Sequence, residues 1–383
     1  MTAPSPDVLL LSARVGAGHV QAARAVADAL AIEAPQLSVQ HVELLSHAAP
    51  WFRRVYTGLY TLGMTALPGL YGKVFQWTDR PDEPELARME RLSVRVERRC
   101  LGRVRDWLRH CQPRVMVHTH FLSGPLCVDL RRQSKHAARQ YVVVTDRRIH
   151  RWWYCPGIDH WFVGSEQAAG RLGRWGVAGP QVTLSGIPVQ PKWTRPLDRP
   201  HEAIRRQWRL PPRGRIVVLT CGTDFTVGPV VEYARAILAA GPDVHVGVLA
   251  GQNKELLGTL AQTRAAAEGR LTPIGFTDRL AELTELAEVV VTKAGGITTA
   301  ECAAKATPMV LLNPVPGQEA GNAEFLVAAG AARLAHTPLE LKNVLRDLLG
   351  QDQARAALAR SAGEVHRPAA TTIARHIRNA LSG

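Results

Sequence analysis

Nowhere in this 383-residue chain do apolar residues run on for the ~18–20 positions that a membrane-spanning helix needs. The N-terminal stretch MTAPSPDVLLLSARVG has no basic region, and its apolar run is only Val8 to Leu11. A buried strand is expected there, not a signal peptide. The six cysteines, Cys100, Cys111, Cys127, Cys155, Cys221 and Cys302, include no C-x-x-C pair. Scattered in this way, they predict reduced, partly buried thiols of a cytoplasmic protein. Internal repeats and low-complexity tracts are also missing, and no acidic residue occurs between Glu43 and Asp79.

What the chain does have is positive charge, a net +14, placed unevenly. Residues 1–200 hold 27 Lys/Arg against 16 Asp/Glu, whereas residues 201–383 hold 20 against 17. A basic first half implies an anionic partner: nucleic acid, an acidic membrane surface or phosphates. Hydrophobic content of 46% and charged content of 21% are globular values. The length suits two domains better than one core.

Short apolar runs alternate with helical patterns throughout. In the first half VLLLS (8–12), VMVHTH (115–120) and YVVVT (141–145) predict strands, and Met89, Leu92, Val96, Cys100, Val104 and Leu108 give 86–110 a helical spacing. In the second half IVVLT (216–220), VHVGVLA (244–250), VVVT (289–292) and MVLLN (309–313) do the same. Alternation of this kind predicts an α/β protein with parallel sheets covered by helices on both faces. The four prolines of GIPVQPKWTRPLDRP (186–200) reset the pattern. The expected division is a domain over 1–188, a linker over 189–200 and a second domain over 201–364, with ligands in a cleft outside the strand carboxyl ends.

Three loops carry the chemistry. In VVVTKAGGITTAE (289–301), Lys293 precedes the pair Gly295-Gly296, which permits close backbone approach at a helix start that favours an anion. Thr298 and Glu301 have capping-box spacing, which on its own would explain the glutamate. In NPVPGQEAGNAEF (313–325), Gln318, Glu319 and Asn322 suit recognition of hydroxyl groups, or else form a polar first turn facing water. In SARVGAGHVQAARAV, Gly16-Ala17-Gly18-His19 follows the first strand. It is neither a dinucleotide fingerprint nor a P-loop, but a neutral histidine there would make a competent general base. His118, His120, Asp146 and His150 match no standard ligand spacing, so no metal is expected.

The segment WFRRVYTGLYTLGMTALPGLYGKVFQW (51–77) holds seven of the chain's aromatics, with Arg53, Arg54 and Lys73 adding charge. Trp51, Phe52, Tyr56, Tyr60, Tyr71, Phe75 and Trp77 beside basic residues and no carboxylates describe an interfacial membrane segment. A buried aromatic helix pair, or a nucleic-acid stacking surface, would use the same residues.

Taken in order, GAGH (16–19), the aromatic segment, TDRRIHRWW (145–153), SGIPVQPKW (185–193), AGQNKEL (250–256), GFTDRL (275–280), KAGGITTAE (293–301) and PVPGQEAGN (314–322) resemble a known family. It is that of the glycolipid-forming glycosyltransferases, typified by monogalactosyldiacylglycerol synthase and the processive diacylglycerol glucosyltransferase. The resemblance covers nearly the whole chain. It implies the GT-B architecture: two Rossmann-like domains facing a cleft, donor in the second and acceptor in the first, with the last helix (365–383) returning to the first.

By that analogy Gly18, Gly295, Gly296 and the helix start at Thr298 would face a diphosphate, Glu301 would hold the ribose, and Lys293, Gln318, Glu319 and Asn322 would contact donor sugar or nucleotide. Phe276 and Thr277 would line the base, and His19 would be the general base. One departure stands out. Where relatives carry a glycine-rich loop, this chain has CGTDFTVGP (221–229), leaving Gly222, Thr223 and Gly228 among bulkier residues.

The expected activity is inverting transfer of a hexose from a UDP-sugar to a membrane lipid, most simply diacylglycerol, with no cofactor or metal. An anionic inner-membrane surface is the expected partner, and nucleic acid is not. A lipid II-type N-acetylglucosaminyl transferase or a UDP-sugar 2-epimerase would share the fold. A non-catalytic lipid- or nucleic-acid-binding protein with a degenerate donor loop is the rival outside enzymes.

Overall fold

The computed structural model describes residues 5–79, 96–97, 99–133, 137–220, 222 and 228–382. Met89 and Leu92 of the expected helix, and Thr223 with most of the loop 221–229, lie outside the described residues. The chain divides into two units. One comprises Met1–Pro191, Pro316–Gln318 and Arg367–Gly383; the other comprises Lys192–Val315 and Glu319–His366.

The first unit is built on β1 (Val8–Ser12), β2 (Val39–Glu43), β3 (Val115–His118), β4 (Arg139–Val143), β5 (His160–Val163) and β6 (Val182–Leu184). They pair in the order β2-β1-β3-β4-β5-β6, every pair parallel. VLLLS reads as a continuous apolar run because both of its faces are covered. Val8 and Leu10 pack with Val26 and Leu30 of helix Gly18–Glu33 and with Ile373 and Ile377 of helix Ala369–Ser382. Leu9 and Leu11 face the other way, toward Leu44, Phe52, Val104 and Leu108. The period of two along the strand thus serves two separate cores.

The second unit contains β7 (Arg215–Thr220), β8 (Val244–Gly251), β9 (Leu271–Gly275), β10 (Val289–Thr292), β11 (Met309–Leu312) and β12 (Ala332–Ala335). Their order is β12-β11-β10-β7-β8-β9, again all parallel. Counted within the unit this is the 3-2-1-4-5-6 order of a doubly wound dinucleotide fold.

Strand order fixes where a ligand can sit. The crevice opens where successive connections leave to opposite sides, between β1 and β3 in the first unit and between β7 and β10 in the second. The loops at those points are the ones holding His19, His118–His120, Gly222 and Lys293–Gly296.

Candidate active site

At the switch point of the first unit, Gly16 takes a positive φ of 75°, and the chain turns from β1 into helix Gly18–Glu33. His19 is the second residue of that helix and is partly buried. Its Nδ1 lies 2.7 Å from the Thr119 carbonyl oxygen and 3.1 Å from Thr145 Oγ1. A carbonyl can only accept, so the proton is on Nδ1 and Nε2 keeps its lone pair. Burial holds the imidazole at a pKa of about 4, against a smaller upward pull from the Thr119 hydrogen bond. His19 is therefore a neutral base at physiological pH.

Two further histidines follow β3. His118 is fully buried, with Nδ1 2.7 Å from Ser123 Oγ and Nε2 2.8 Å from Gln140 Oε1. It belongs to the core. His120 accepts the Leu122 N–H on Nδ1 at 3.1 Å, so its proton sits on Nε2. Its ring stands edge-to-face against His19, with centroids 4.5 Å apart, and packs on Phe121 at 4.1 Å. Burial, then the neighbouring His19, drives its pKa far below the ordinary value. Among the described residues no group of three or more His, Cys, Asp or Glu side chains is placed to hold a metal.

The aromatic segment folds into two helices, Pro50–Thr65 and Pro68–Thr78, packed so closely that a Cβ on Gly63 would meet Tyr71 Cδ2 at 2.9 Å. Phe52 and Phe75 are buried; Tyr56, Tyr60, Tyr71 and Trp77 are half-buried; Trp51, Arg53 and Arg54 are exposed. The aromatic side chains are thus arranged more as a buried helix pair than as an exposed surface. Most of them line the inner face, where Phe52 and Tyr56 pack 5.4 Å apart and Tyr56 reaches His120 at 6.4 Å. Beside Trp51, the exposed apolar side chains are aliphatic: Val55, Leu59 and Leu62 on the first helix, Leu67 before the second, and Leu70 and Val74 on it. Their spacing of three and four residues was readable in the sequence. Attention to aromatic content hid it.

In the second unit the helix after β10 runs Gly296–Ala304, with Gly295 as an N-cap that has no side-chain hydrogen bond. The capping-box reading of Thr298 and Glu301 is thereby corrected. Thr298 lies inside the first turn, and Thr299 bonds back to the Gly295 carbonyl at 2.8 Å. The helix geometry leaves the N–H groups of that first turn without intrahelical partners, and the axis dipole directs positive potential outward there. Glu301 instead meets Lys192 and Trp193; burial pushes its pKa up to about 8, with both neighbours pulling the other way.

Lys293 Nζ pairs with Glu319 Oε1 at 2.7 Å, and Glu319 Oε2 also accepts the Val315 N–H at 3.3 Å. Asn322 Nδ2 donates to the Ala294 carbonyl at 3.1 Å. Glu319 and Asn322 thus brace the two loops against each other from inside, a constructive role that the expectation of hydroxyl contacts did not include. Gln318 is the first residue of helix Gln318–Ala328. Gly222, at the end of β7, adopts a φ of 120°. After β9, Phe276 is 60% exposed, and Thr277 Oγ1 accepts the Arg279 N–H at 3.0 Å. An aromatic ring this open beside a fixed loop is available for stacking.

Two parallel-sheet Rossmann-like units define a protein of the GT-B class. Solved structures agree at the level of fold. A Staphylococcus aureus MnaA–UDP complex superposes with a TM-score of 0.65 at 13% identity, covering 98% of this chain and 96% of that one. A putative UDP-N-acetylglucosamine 2-epimerase from Listeria monocytogenes gives 0.62 at 14% identity, covering 100% and 96%.

Two family models match the chain: monogalactosyldiacylglycerol (MGDG) synthase over residues 19–189, and the glycosyltransferase family 28 C-terminal domain over 217–374. The two halves of the chain thus resemble a glycolipid-forming synthase and a family 28 glycosyltransferase. The processive diacylglycerol beta-glucosyltransferase of Bacillus subtilis (strain 168) is 26% identical over 364 residues, 94% of this chain and 91% of that protein.

Proposed function

We propose that this glycosyltransferase moves a hexose from a UDP-sugar to the hydroxyl of diacylglycerol at a membrane surface, with inversion at the anomeric carbon. The observation that carries the reading is the tautomer of His19. The Thr119 carbonyl holds the proton on Nδ1, so the Nε2 lone pair can take the acceptor's proton. As that proton leaves, the acceptor oxygen bonds to the anomeric carbon and the bond to the UDP oxygen breaks. The departing diphosphate would be met by the open amides and dipole of helix Gly296–Ala304. Glu301 would take the ribose and Phe276 the base. The Bacillus relative is named for glucose transfer to diacylglycerol, which makes UDP-glucose the first donor to test.

The acceptor side is supported by the aliphatic face of helices Pro50–Thr65 and Pro68–Thr78 with exposed Arg53, Arg54 and Lys73 around it. Such a face suits a peripheral attachment to the anionic inner leaflet, since each Lys or Arg near the surface adds ~1 kcal/mol. Among the described residues no helix is long and apolar enough to cross a membrane. An epimerase on this fold would have no use for that face, so it favours transfer over the rival reading.

Incubation with labelled UDP-glucose, UDP-galactose and UDP-N-acetylglucosamine plus diacylglycerol vesicles, followed by mass spectrometry of the lipids, tests the proposal. His19→Ala is expected to bind UDP as the parent does and to lose ~10²–10⁴ of the turnover. A fully active variant removes His19 from the mechanism, and a changed sugar nucleotide with unaltered lipid sinks the transfer reading.

A further inference from the structure

Between β6 and the second unit's first helix, residues Pro191–Trp193 form a 3₁₀ turn. The proline-rich sequence around it predicts a connector and nothing more. Its side chains do more than connect. Lys192 Nζ donates to the Asp278 carbonyl at 2.8 Å, and Asp278 belongs to the loop that carries Phe276 and Thr277. The rest of that loop is stiffened from behind. Arg279 donates its backbone N–H to Thr277 Oγ1, and its guanidinium is paired with Glu282 at 2.6 Å.

Trp193, next in the chain, is 2% exposed, and its indole Nε1 is buried with no full hydrogen bond among the described residues. An orphaned buried N–H is rare and calls for an acceptor. The side chain set against it is Glu301, which Lys192 approaches as well. One three-residue turn therefore touches both the loop beside the exposed Phe276 ring and the carboxylate at the helix after β10.

We propose that Lys192 and Trp193 are positioning residues of the nucleotide site, setting the base loop and the ionised form of Glu301 together so that a nucleoside diphosphate is gripped at base and ribose at once. This rests on the reading of the second unit as the UDP-sugar site. The chemistry follows from the diol. Two adjacent ribose hydroxyls offer two O–H donors, and a carboxylate accepts both, whereas a protonated carboxyl spends one oxygen on its own hydrogen. Burial alone favours the protonated form of Glu301. The Lys192 ammonium and the Trp193 indole N–H oppose that burial, and the Cys302 thiol, itself pushed up by burial and then by Glu301, is the other titratable neighbour. Binding of the diol then drives a proton from Glu301 into solvent, and Trp193 N–H gains its acceptor.

Titration calorimetry with UDP between pH 6.5 and 9, in two buffers of different ionisation enthalpy, reads this directly. The parent should release part of a proton per UDP bound near pH 7, with affinity rising with pH up to about 8, the value to which burial pushes Glu301, and levelling off above it. Lys192→Met should weaken UDP about tenfold and move that rise to higher pH, Lys192→Arg should restore both, and Trp193→Phe should reduce proton release. Unchanged affinity and pH dependence in Lys192→Met and Trp193→Phe, beside a weakened Glu301→Gln, would overturn the positioning role and leave the donor site standing. If Glu301→Gln also binds UDP as the parent does, the donor-site reading fails with it.

Discussion

His19 and His120 are neighbours with opposite tautomers. The first has its proton fixed on Nδ1 by a carbonyl, the second on Nε2 by a backbone N–H. Each resists protonation chiefly because it is buried, and a charge on either would be felt by the other. The edge-to-face contact at 4.5 Å thus keeps a neutral, oriented base beside the half-buried tyrosines of the aromatic helices. In His120→Asn the side-chain oxygen can still accept from Leu122 N–H, while the ring edge against His19 is lost. Turnover should fall at least tenfold with the melting temperature little changed, whereas His120→Ala should lose ~1–3 kcal/mol of stability by orphaning that amide. Equal activity of His120→Asn and the parent would make His120 mere packing. GAGH drew attention to His19 from the sequence, because a glycine-rich strand-to-helix turn is local. Its tautomer was invisible there, since Thr119 lies 100 residues away and only the β1–β3 pairing brings it near.

At the scale of elements, long apolar runs were legible and short edges were not. VLLLS, IVVLT, VVVT and MVLLN became β1, β7, β10 and β11, all interior to their sheets or flanked on both sides. The unrecognised β2, β6, β9 and β12 are edge strands, where one side has no partner and the sequence carries polar residues or, in LTPIG, a proline. β5, HWFV, was not recognised either. Helix starts suffered similarly. Thr298 and Glu301 mimic a capping box, yet the glycine pair lets the helix begin three residues earlier.

The pair of helices over Pro50–Thr78 raises a different point, because its exposed face is apolar at Leu59 (65%) and Leu70 (57%). Fully burying one leucine is worth roughly 1.5–3 kcal/mol, so Leu59→Asp with Leu70→Asp should weaken vesicle binding by tenfold or more. The fold should be unharmed, since neither side chain is in the core. Flotation on vesicles of mixed zwitterionic and anionic lipid measures it, and unchanged flotation of the double variant would sink the docking face.

Over the whole molecule, buried titratable groups set the pH range in which the fold holds. His19, His118, His150, His160 and His245 are each lowered to about 4, with burial the largest cause in every case. Unfolded, they bind protons below an ordinary value near 6.5. Between about pH 6.5 and 4 the unfolded chain therefore holds more protons, and stability falls as pH falls. For the fully buried His118 the full loss is about 3 kcal/mol. Glu97 and Glu301 act in the opposite sense: burial raises them to about 7 and about 8, so their ionisation opposes folding as pH rises through those values. Below pH 6.5 five histidines outweigh two carboxyls, and above it the carboxyls act alone. Thermal melts from pH 4 to 9 should trace a dome with its summit between about pH 6 and 7 and its steeper side toward acid. A flat profile from pH 4.5 to 6.5 would mean that these histidines reach water or find acidic partners in the folded chain.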